Sequence, residues 1–417
     1  MTSIELVQAV KTDPKRWSED WSNAVFSRNE RRRRWSKVRR LMKRDGVDLL
    51  VCLPCTNAHD RGQADPRYLT QLGENSDEVT VAFPVEGKVT AWLSRPGVWP
   101  SSNWLGDIRS AIRGAGGATI ASWLNENPSY QKATIAIAGL DSDHYTHCRS
   151  AEGEVNWRSV QILTESFPRA RFVSATRILG EARWRKSAEE VAFLRKGTSV
   201  AEATLDAIRE HARAGVPERH LFARMMFANA DAGGSFTPMF GWTTGPLGAA
   251  YHRLEQPSFR DFQEGDVFNI EIEGRWGGHI AQIDQTAYFG KPPERLREAM
   301  AMSVEAFDRA IAAMRPGATI GDVVGAARVE GLAGRAHTGL GMHGRGTGDD
   351  GPLVVAGRPN PTEVLDMVLE AGCCFAVKPS TTVDEAPDYC KWGDSVVVTR
   401  NGAERLGARR QELLALN

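Results

Sequence analysis

The stretch GDVFNIEIEGRWGGHIAQIDQTAYFG, residues 265–290, places carboxylates, an amide and a histidine in a segment with the pattern of two β-strands. Glu271 and Glu273 are two residues apart, so both side chains point to the same side of the sheet if the strand is regular. Glu273 is therefore a candidate second acid–base group, or the partner of a neighbouring cation. His279 is a candidate binding residue, with a half-buried structural histidine as the alternative.

The elements around this stretch indicate an α+β half of the chain, in which helices cover long antiparallel strands. Ser187 followed by Glu190 predicts a capping box at the start of a helix of about seven turns that ends at Gly215. Strands are expected within GGSFTPMFGWTTG, and SVVVTRNGAERLG is expected to form a closing hairpin with its turn at the Asn-Gly pair. Further helices are expected near residues 293–314 and 320–331.

The first half of the sequence alternates helix and strand patterns, which indicates an α/β domain. RNERRRRWSKVRRLMKRDG has apolar residues at helical spacing and ends at Gly46. VDLLVCLP, EVTVAFPVEGKVTAWLS and KATIAIAG have the patterns of a buried strand, a hairpin and another short buried strand. The four consecutive arginines, residues 31–34, are interpreted as the solvated face of the helix, with a nucleic-acid patch as the alternative.

The charge composition gives no global field toward nucleic acid or an anionic membrane. The 417 residues contain 52 Lys+Arg and 52 Asp+Glu, and a chain of this length predicts two domains. The N-terminus lacks the pattern of a secretory signal, and no stretch of about 18 apolar residues occurs. We therefore expect a soluble cytoplasmic protein.

The six cysteines are too sparse for a disulfide scaffold. Cys373 and Cys374 lie in an apolar, strand-like run and are expected to be reduced and buried. Cys52 and Cys55, followed by His59, match part of a zinc or redox site, but no second pair of ligands is nearby. We interpret them as a strand end that leads into a loop.

Five stretches fall in a recognisable order: RWRKSAEEVAFLRKG, AAYHRLEQP, the 265–290 stretch, GLGMHGRG and FAVKP...YCKWGDSVVVTRNGAERLG. Together with VRRLMKRDGVDLLVC and RYLTQLG in the first half, they resemble the pita-bread family that includes creatinase, prolidase and aminopeptidase P. The resemblance implies an α/β creatinase-type N-terminal domain at residues 1–180 and an α+β pita-bread catalytic domain at residues 181–417. It also implies a homodimer.

In the metallopeptidase members of that family, five carboxylate or imidazole ligands hold two metal ions that activate a bridging water. The corresponding positions here are Glu271, Gln282, His343, Lys378 and Gly393. Only Glu271 and His343 can still bind metal, and an ammonium group would repel an ion, so we predict no metal and no other cofactor, with a single weakly bound ion on these two residues as the alternative. Lys378 is expected to form a buried ion pair with Glu271, either as a structural replacement for the ions or as a group that binds an anion or transfers a proton.

The creatinase branch, which works without metal, offers a functional parallel. The resemblance places its catalytic histidine at His252, a carboxylate at Asp284 and a second imidazole at His343. Two imidazoles and a carboxylate suit proton transfer between water and a leaving nitrogen. Creatinase keeps a glutamate where this chain has Lys378, which makes creatine itself a poor match for the site.

Basic residues in or beside the motif stretches indicate a substrate with an anionic group. They are Lys378, Lys391, Arg345 and Arg253. Gln282 is a further substrate-binding candidate. Trp242 is a candidate wall of the pocket, with core packing as the alternative.

The sequence thus predicts a metal-independent, creatinase-like hydrolase that cleaves a C–N bond of a small carboxylate-bearing compound, amino-acid-like or a guanidino or amide compound. In this hypothesis His252 takes a proton from water and passes it to the leaving nitrogen. Asp284 and Glu271 hold the cationic part of the substrate or the attacking water, and Lys378 with Arg345 anchors the anion. The expected partner is a small molecule, with neither nucleic acid nor membrane.

Three alternatives stay open on the sequence. The same groups suit a lyase, and the same scaffold suits a non-catalytic binding protein. An Xaa-Pro-type metallopeptidase would need shifted ligands, such as Glu273, His279 and Asp284.

Overall fold

The computed structural model describes residues 25–54, 64–73, 78–94, 104–112, 114–141, 145–148, 153–235, 238–248, 257–348 and 350–417. The chain divides into two compact units, Met1–Arg183 with Thr347–Asp349, and Trp184–Gly346 with Asp350–Asn417. No helix in the described ranges is long and apolar enough to cross a membrane. Four residues singled out from the sequence lie outside the described residues: His252, Arg253, Cys55 and His59.

A six-stranded sheet organises the first unit. Its strands are β1 (Leu49–Cys52), β2 (Thr80–Pro84), β3 (Thr90–Leu93), β4 (Ile108–Ser110), β5 (Thr134–Ile137) and β6 (Arg171–Ser174). Their order is β4-β3-β2-β1-β5-β6, and β2 and β3 form the antiparallel hairpin predicted from the sequence. β1 is buried on both faces, because Leu49 and Leu50 point into different apolar clusters.

Helices cover this sheet: α1 (Arg28–Arg44), α2 (Ala64–Thr70), α3 (Gly116–Glu126), α4 (Trp157–Ser166) and α5 (Thr176–Trp184). Ser27 caps the N-terminus of α1, because its side chain accepts a hydrogen bond from the backbone N–H of Glu30. Val38 and Met42 of α1 are buried in the core, as their helical spacing predicts.

Arg34 contradicts the interpretation of the four arginines as a solvated face. Its guanidinium lies 2.7 Å from Glu30 Oε1 and 4.6 Å from the centre of the Tyr68 ring, and the side chain is buried. Arg32 is exposed, as expected. Arg34 lies one turn before Val38 and so belongs to the face of the helix that packs on the core, which a run of like charges does not reveal.

Two sheets form the second unit. The four-stranded sheet, in the order β17-β9-β8-β7, consists of β7 (Phe240–Pro246), β8 (Asp266–Trp276), β9 (His279–Phe289) and β17 (Leu414–Leu416). The seven-stranded sheet consists of β10 (Glu330–Gly331), β11 (Ala336–Gly344), β12 (Leu353–Val354), β13 (Cys374–Val383), β14 (Ala386–Lys391), β15 (Asp394–Thr399) and β16 (Gly402–Arg405). β13 is its centre, because it pairs with β11, β14 and β15.

The helices of the second unit are α6 (Ala188–His211), α7 (Glu218–Asp231), α8 (Glu294–Ala313), α9 (Ile320–Ala326) and α10 (Thr362–Leu365). α6 and α7 pack their apolar residues against one face of the four-stranded sheet. α8 lies on the seven-stranded sheet, where Ser303 and Thr381 share a hydrogen bond of 2.7 Å. Helices therefore cover one face of each sheet.

Most local predictions for the second unit agree with the structure, and three boundaries differ. The capping box of Ser187 and Glu190 is present, but α6 ends at His211, before the expected glycine. α9 is shorter than the predicted helix at 320–331. In the closing hairpin Thr399 pairs with Gly402, so the turn falls one residue earlier than the Asn-Gly pair. Element boundaries depend on tertiary contacts that local patterns do not contain.

Cys373 and Cys374 are buried free thiols, as expected. Burial raises the pKa of each thiol to about 12, so both carry their protons at neutral pH.

Candidate active site

One face of β8 and β9 carries a row of polar side chains. Glu271 lies directly opposite Asp284, and Glu273 lies opposite Gln282. The apolar residues that alternate with these glutamates on β8 pack with α6 and α7 on the other face. Glu271 and Glu273 therefore share a face, as their spacing predicts.

Two lysines from the seven-stranded sheet reach these carboxylates. Lys391 Nζ lies 3.1 Å from Glu271 Oε1 and 3.6 Å from Asp284 Oδ2. Lys378 Nζ lies 3.5 Å from Glu271 Oε2. The side chain of Lys378 is 15% exposed and that of Lys391 is 10% exposed, so the ion pairs are largely shielded from water. The ion pair predicted for Lys378 is present, and Lys391 adds a second.

Gln282 holds the two carboxylates in place. Its Nε2 donates hydrogen bonds of 3.1 Å to both Glu271 Oε2 and Asp284 Oδ1. The opposite amide orientation would set an oxygen against two carboxylate oxygens, so the local charge selects the observed one. Its backbone is fixed as well, because Gln282 N donates to Ser395 Oγ at 2.9 Å and Ser395 Oγ donates to Gln282 O at 3.0 Å.

Asp284 is a buried carboxyl group with an altered acidity. Burial raises its pKa above the ordinary value, and the neighbouring carboxylate of Glu271 raises it further. Lys378 and Lys391 act in the opposite direction without outweighing these effects. Asp284 therefore keeps a proton to higher pH than an exposed aspartate, which suits a group that donates a proton or a hydrogen bond.

The two sheets meet at Asp284 and Gly393, which form an isolated antiparallel bridge. Asp284 N donates to Gly393 O at 2.9 Å, and Gly393 N donates to Asp284 O at 3.1 Å. A Cβ on Gly393 would lie 2.7 Å from Val377 O, 3.0 Å from Lys378 Cα and 3.2 Å from Asp284 Cβ. Position 393 therefore has no room for a side chain. Because Gly393 lacks one, the backbone of Lys378 can approach Asp284 closely.

Both lysines are held by residues that the sequence analysis did not single out. Lys391 N donates to Thr286 Oγ1 at 2.8 Å, which joins the end of β14 to β9. Gly341 lies opposite Lys378 on β11, and a Cβ there would lie 3.7 Å from Lys378 Cε. The stem of Lys378 therefore runs across this glycine. A Thr or a Gly has many structural roles, so neither carried a signal in the sequence.

Glu273 belongs to a second buried group of charges. Arg345 Nη1 lies 3.3 Å from Glu273 Oε1, and Arg275 Nη2 lies 4.0 Å from Glu273 Oε2. Arg345 is 1% exposed. Arg345 is thus engaged with a buried carboxylate, and its role as an anchor for an anion together with Lys378 stays a prediction.

His343 lies on β11, opposite Ala376 of β13. Because side chains alternate along a strand, His343 points to the same side of the sheet as Gly341 and its partner Lys378. The ring is buried, and Nδ1 lies 3.3 Å from Gly344 O.

His279 does not lie on the face that carries Gln282 and Asp284. It is separated from each by an odd number of residues, and its Nε2 lies 3.6 Å from Glu190 Oε1 at the start of α6. The ring packs on its other side against Phe193. The prediction of His279 as a substrate-binding residue is therefore wrong, and so is a metal-ligand set that combines it with Asp284.

Trp242 packs in the apolar core and does not line the polar face. It lies opposite Ile270 on β8 and contacts Phe268, with ring centres 4.5 Å apart. Its Nε1 donates to Glu218 Oε2 at 3.1 Å. The candidate role of Trp242 as a pocket wall is wrong, and the alternative of core packing is right.

The donors on this face do not fit a pair of divalent cations. Two such ions require several anionic oxygen ligands, whereas the carboxylates of Glu271 and Asp284 already face two ammonium groups. The position that would supply a further glutamate is Gly393, which has no space for one. No group of three or more His, Cys, Asp or Glu residues in the described part of the chain has the geometry of a metal site.

Residues 192–400 match the sequence model of the family described as metallopeptidase family M24. The chain belongs to metallopeptidase family M24. It is 24% identical to an Xaa-Pro dipeptidase of Pyrococcus furiosus over 273 residues, and this aligned region covers 64% of this chain and 76% of that protein. It is 25% identical to an ectoine hydrolase of Halomonas elongata over 291 residues, and this aligned region covers 65% of this chain and 67% of that protein.

The fold of this M24 protein is also found in a solved relative. The crystal structure of dipeptidase PepE from Mycobacterium ulcerans matches with a TM-score of 0.69 at 23% identity, over 94% of this chain and 99% of that chain. The pita-bread fold predicted from the sequence is thus confirmed. Membership of the chain in a family of hydrolases supports hydrolysis as its reaction. The creatinase branch within the family stays a prediction.

Proposed function

We propose that this M24 protein is a metal-independent hydrolase of the creatinase type, which cleaves a C–N bond in a small carboxylate-bearing compound. The observation that carries the proposal is the contact of two ammonium groups with Glu271. Resemblance to the metallopeptidases places a metal ligand at this residue, and Lys378 and Lys391 supply positive charge there instead. We further propose a cytoplasmic homodimer, in line with the family resemblance.

The proposed chemistry divides proton transfer between an imidazole and a carboxyl group. Hydrolysis adds a hydroxyl group to the carbon and a proton to the leaving nitrogen. His252 takes the proton from water, since an ordinary imidazole titrates near neutral pH. Asp284, whose pKa is raised by burial, gives its proton to the leaving nitrogen, and the proton that His252 took from water then restores the Asp284 carboxyl group, so that the protein ends the cycle unchanged.

The charges of the site favour a substrate that carries both signs. Glu271 and Asp284 present carboxyl groups on one face beside the two ammonium groups, and the proposal assigns these carboxyl groups to the attacking water or to a cationic part of the substrate, such as an amidinium or guanidinium group. Lys378 has three N–H donors and is the more exposed of the two lysines, so its ammonium can bind a carboxylate while it contacts Glu271. One of the relatives is named an ectoine hydrolase, so ectoine is among the compounds to be tested.

Three alternatives make different predictions for the same site. An Xaa-Pro metallopeptidase is the function named for another relative, and it would need ligands such as Glu273 and His279. His279 points to the opposite face, and Glu273 is engaged with Arg345, which disfavours this set. A binding protein would show affinity without turnover, and a lyase would yield an unsaturated product instead of an added water.

Asp284→Asn tests the proposal, because it preserves shape while removing the transferable proton. We expect hydrolysis to fall at least about 100-fold, the usual contribution of a general acid or base. Urea unfolding of the variant, measured in parallel, shows whether a loss of activity reflects the missing proton or a loss of the fold. The assay uses ectoine, guanidino acids, N-substituted amino acids, amides and Xaa-Pro dipeptides, with and without chelator.

Asp206→Asn is the matched control, because Asp206 is an exposed aspartate of α6 that pairs with Arg209. Its activity should equal that of the parent protein. Hydrolysis that chelator abolishes, or that survives in Asp284→Asn, would contradict the proposal. Binding of a compound without any turnover would instead favour the non-catalytic alternative.

A further inference from the structure

The bridge between Asp284 and Gly393 is held by a residue that the proposed mechanism does not use. Arg409 Nη2 donates hydrogen bonds to Asp284 O, at 3.1 Å, and to Gly393 O. Its Nη1 donates to Gln285 Oε1 at 2.9 Å. One guanidinium group thus contacts both carbonyls of the backbone pair that bridges the two sheets at this point.

Arg409 is anchored so that it holds this position. Its guanidinium lies over the ring of Trp392, 4.1 Å from the ring centre, and the residue is 8% exposed. Glu202 Oε1 accepts hydrogen bonds from the backbone of Ala408 at 2.7 Å and of Arg409 at 2.9 Å, which fixes the segment that carries the arginine. A planar guanidinium with several fixed donors is suited to bind two acceptors at once.

The groups around Arg409 keep it charged at neutral pH. Burial lowers its pKa to about 10, while Asp394 and Glu202 favour the charged form and Arg405 opposes it. Arg405 donates to Asp394 Oδ2 at 3.1 Å, so that carboxylate is shared between the two arginines. Arg409 therefore remains a cation over the pH range in which enzymes of this kind are assayed.

The carboxyl group of Asp284 depends on this backbone contact for its placement. Its Oδ1 accepts from Gln282, and its Oδ2 faces Lys391 at 3.6 Å. Each partner of the bridge positions a group of the site: Asp284 its own carboxyl group, and Gly393 the ammonium group of Lys391, which lies two residues earlier in the chain. A shift of the bridge would therefore change the distance between Asp284 and its lysine partner, and a misplacement of about 1 Å can cost about 100-fold in rate.

We propose that Arg409 is a positioning residue that clamps the Asp284–Gly393 bridge and so sets the distance between the Asp284 carboxyl group and Lys391. The inference deepens the proposed function, because it concerns the groups assigned to that reaction. Arg409 acts through backbone carbonyls and does not touch the substrate.

Hydrogen exchange of the intact protein tests the clamp without any substrate. In Arg409→Met the backbone amides of residues 284 and 393 should exchange about tenfold or more faster than in the parent. Arg409→Lys should show a smaller increase, because an ammonium group keeps the charge but cannot hold two carbonyls in one plane. The ¹³C titration midpoint of the Asp284 carboxyl group should move in Arg409→Met and return toward that of the parent in Arg409→Lys.

Arg109→Met is the matched control. Arg109 also lies over a tryptophan, Trp92, and pairs with a carboxylate, Asp107, but it belongs to the first unit of the chain. The proposal is overturned if both Arg409 variants keep parental exchange at residues 284 and 393, or if Arg109→Met accelerates them equally. If Arg409→Met does not fold, the Arg409→Lys measurement decides alone.

The exchange result and the proposed function can fail separately. A parent protein that hydrolyses none of the tested C–N compounds would contradict the proposed function and leave the exchange measurement unaffected. Parental exchange rates in a catalytically active Arg409→Met variant would contradict the clamp and leave the proposed function standing.

Discussion

Lys391→Met is expected to lower the free energy of unfolding by about 3 kcal/mol or more at neutral pH. Lys391 contacts the carboxylates of both Glu271 and Asp284, and removing one partner of a buried ion pair leaves uncompensated charge. Lys378 still faces Glu271, so the larger uncompensated charge falls on Asp284. Urea unfolding of parent and variant measures the difference.

The loss in Lys391→Met should shrink as the pH falls. The pKa of Asp284 is raised by burial and by Glu271, while Lys391 lowers it, so removal of the lysine raises it further. A carboxyl group whose pKa is higher in the folded state binds protons more tightly there, so stability falls as the pH rises through that window. The variant is therefore closest to the parent at acidic pH, where Asp284 is protonated.

Lys43→Met is the matched control, because Lys43 forms an exposed pair with Glu86. We expect a change of less than about 1 kcal/mol there at any pH. An equally small change in Lys391→Met would mean that Lys391 does not neutralise the carboxylates. A loss that is the same at acidic and neutral pH would show that packing, and not charge, is what the lysine supplies.

Gly393→Ala is expected to lower activity about 100-fold and to destabilise the fold by about 1–3 kcal/mol. The new methyl group would meet the backbone of Val377 at 2.7 Å and of Lys378 at 3.0 Å. Backbone atoms within a sheet cannot rotate away as a side chain can, so β13 and the Asp284–Gly393 bridge must separate. Turnover of an identified substrate and urea unfolding measure the two effects.

Gly325→Ala is the control for the glycine substitution itself. Gly325 lies in α9, and a Cβ there meets nothing within 4 Å. Alanine at such a helical position should leave stability equal or higher by about 0.5–1 kcal/mol. A Gly393→Ala variant that behaves like Gly325→Ala would refute the close approach of the sheets at the site.

Local patterns in the sequence predicted much of the architecture. The capping box of Ser187, the long strands β8 and β9, and the hairpin of β2 and β3 each depend on residues that are near one another in the chain. The shared face of Glu271 and Glu273 follows from strand alternation alone. The ion pair of Lys378 came from the family resemblance, because no local pattern connects residue 378 to residue 271.

The errors concern contacts between distant segments. His279 and Trp242 lie in or near the motif stretches, but the sequence does not state that α6 and α7 cover the face of the sheet to which both point. Arg34 was misassigned for the same reason. Lys391 was one of several flanking cations, and its contact with both carboxylates requires β14 to be joined to β9 by Thr286.

Metal content of the purified protein tests the central claim most directly. The protein is purified without chelator, incubated with excess Mn²⁺, Co²⁺ or Zn²⁺, passed through a desalting column and measured by elemental analysis. If the ammonium groups of Lys378 and Lys391 neutralise Glu271 and Asp284 in place of inorganic ions, far less than one ion per chain should remain. Retention of about two ions per chain, the content of a dinuclear site, would contradict the account.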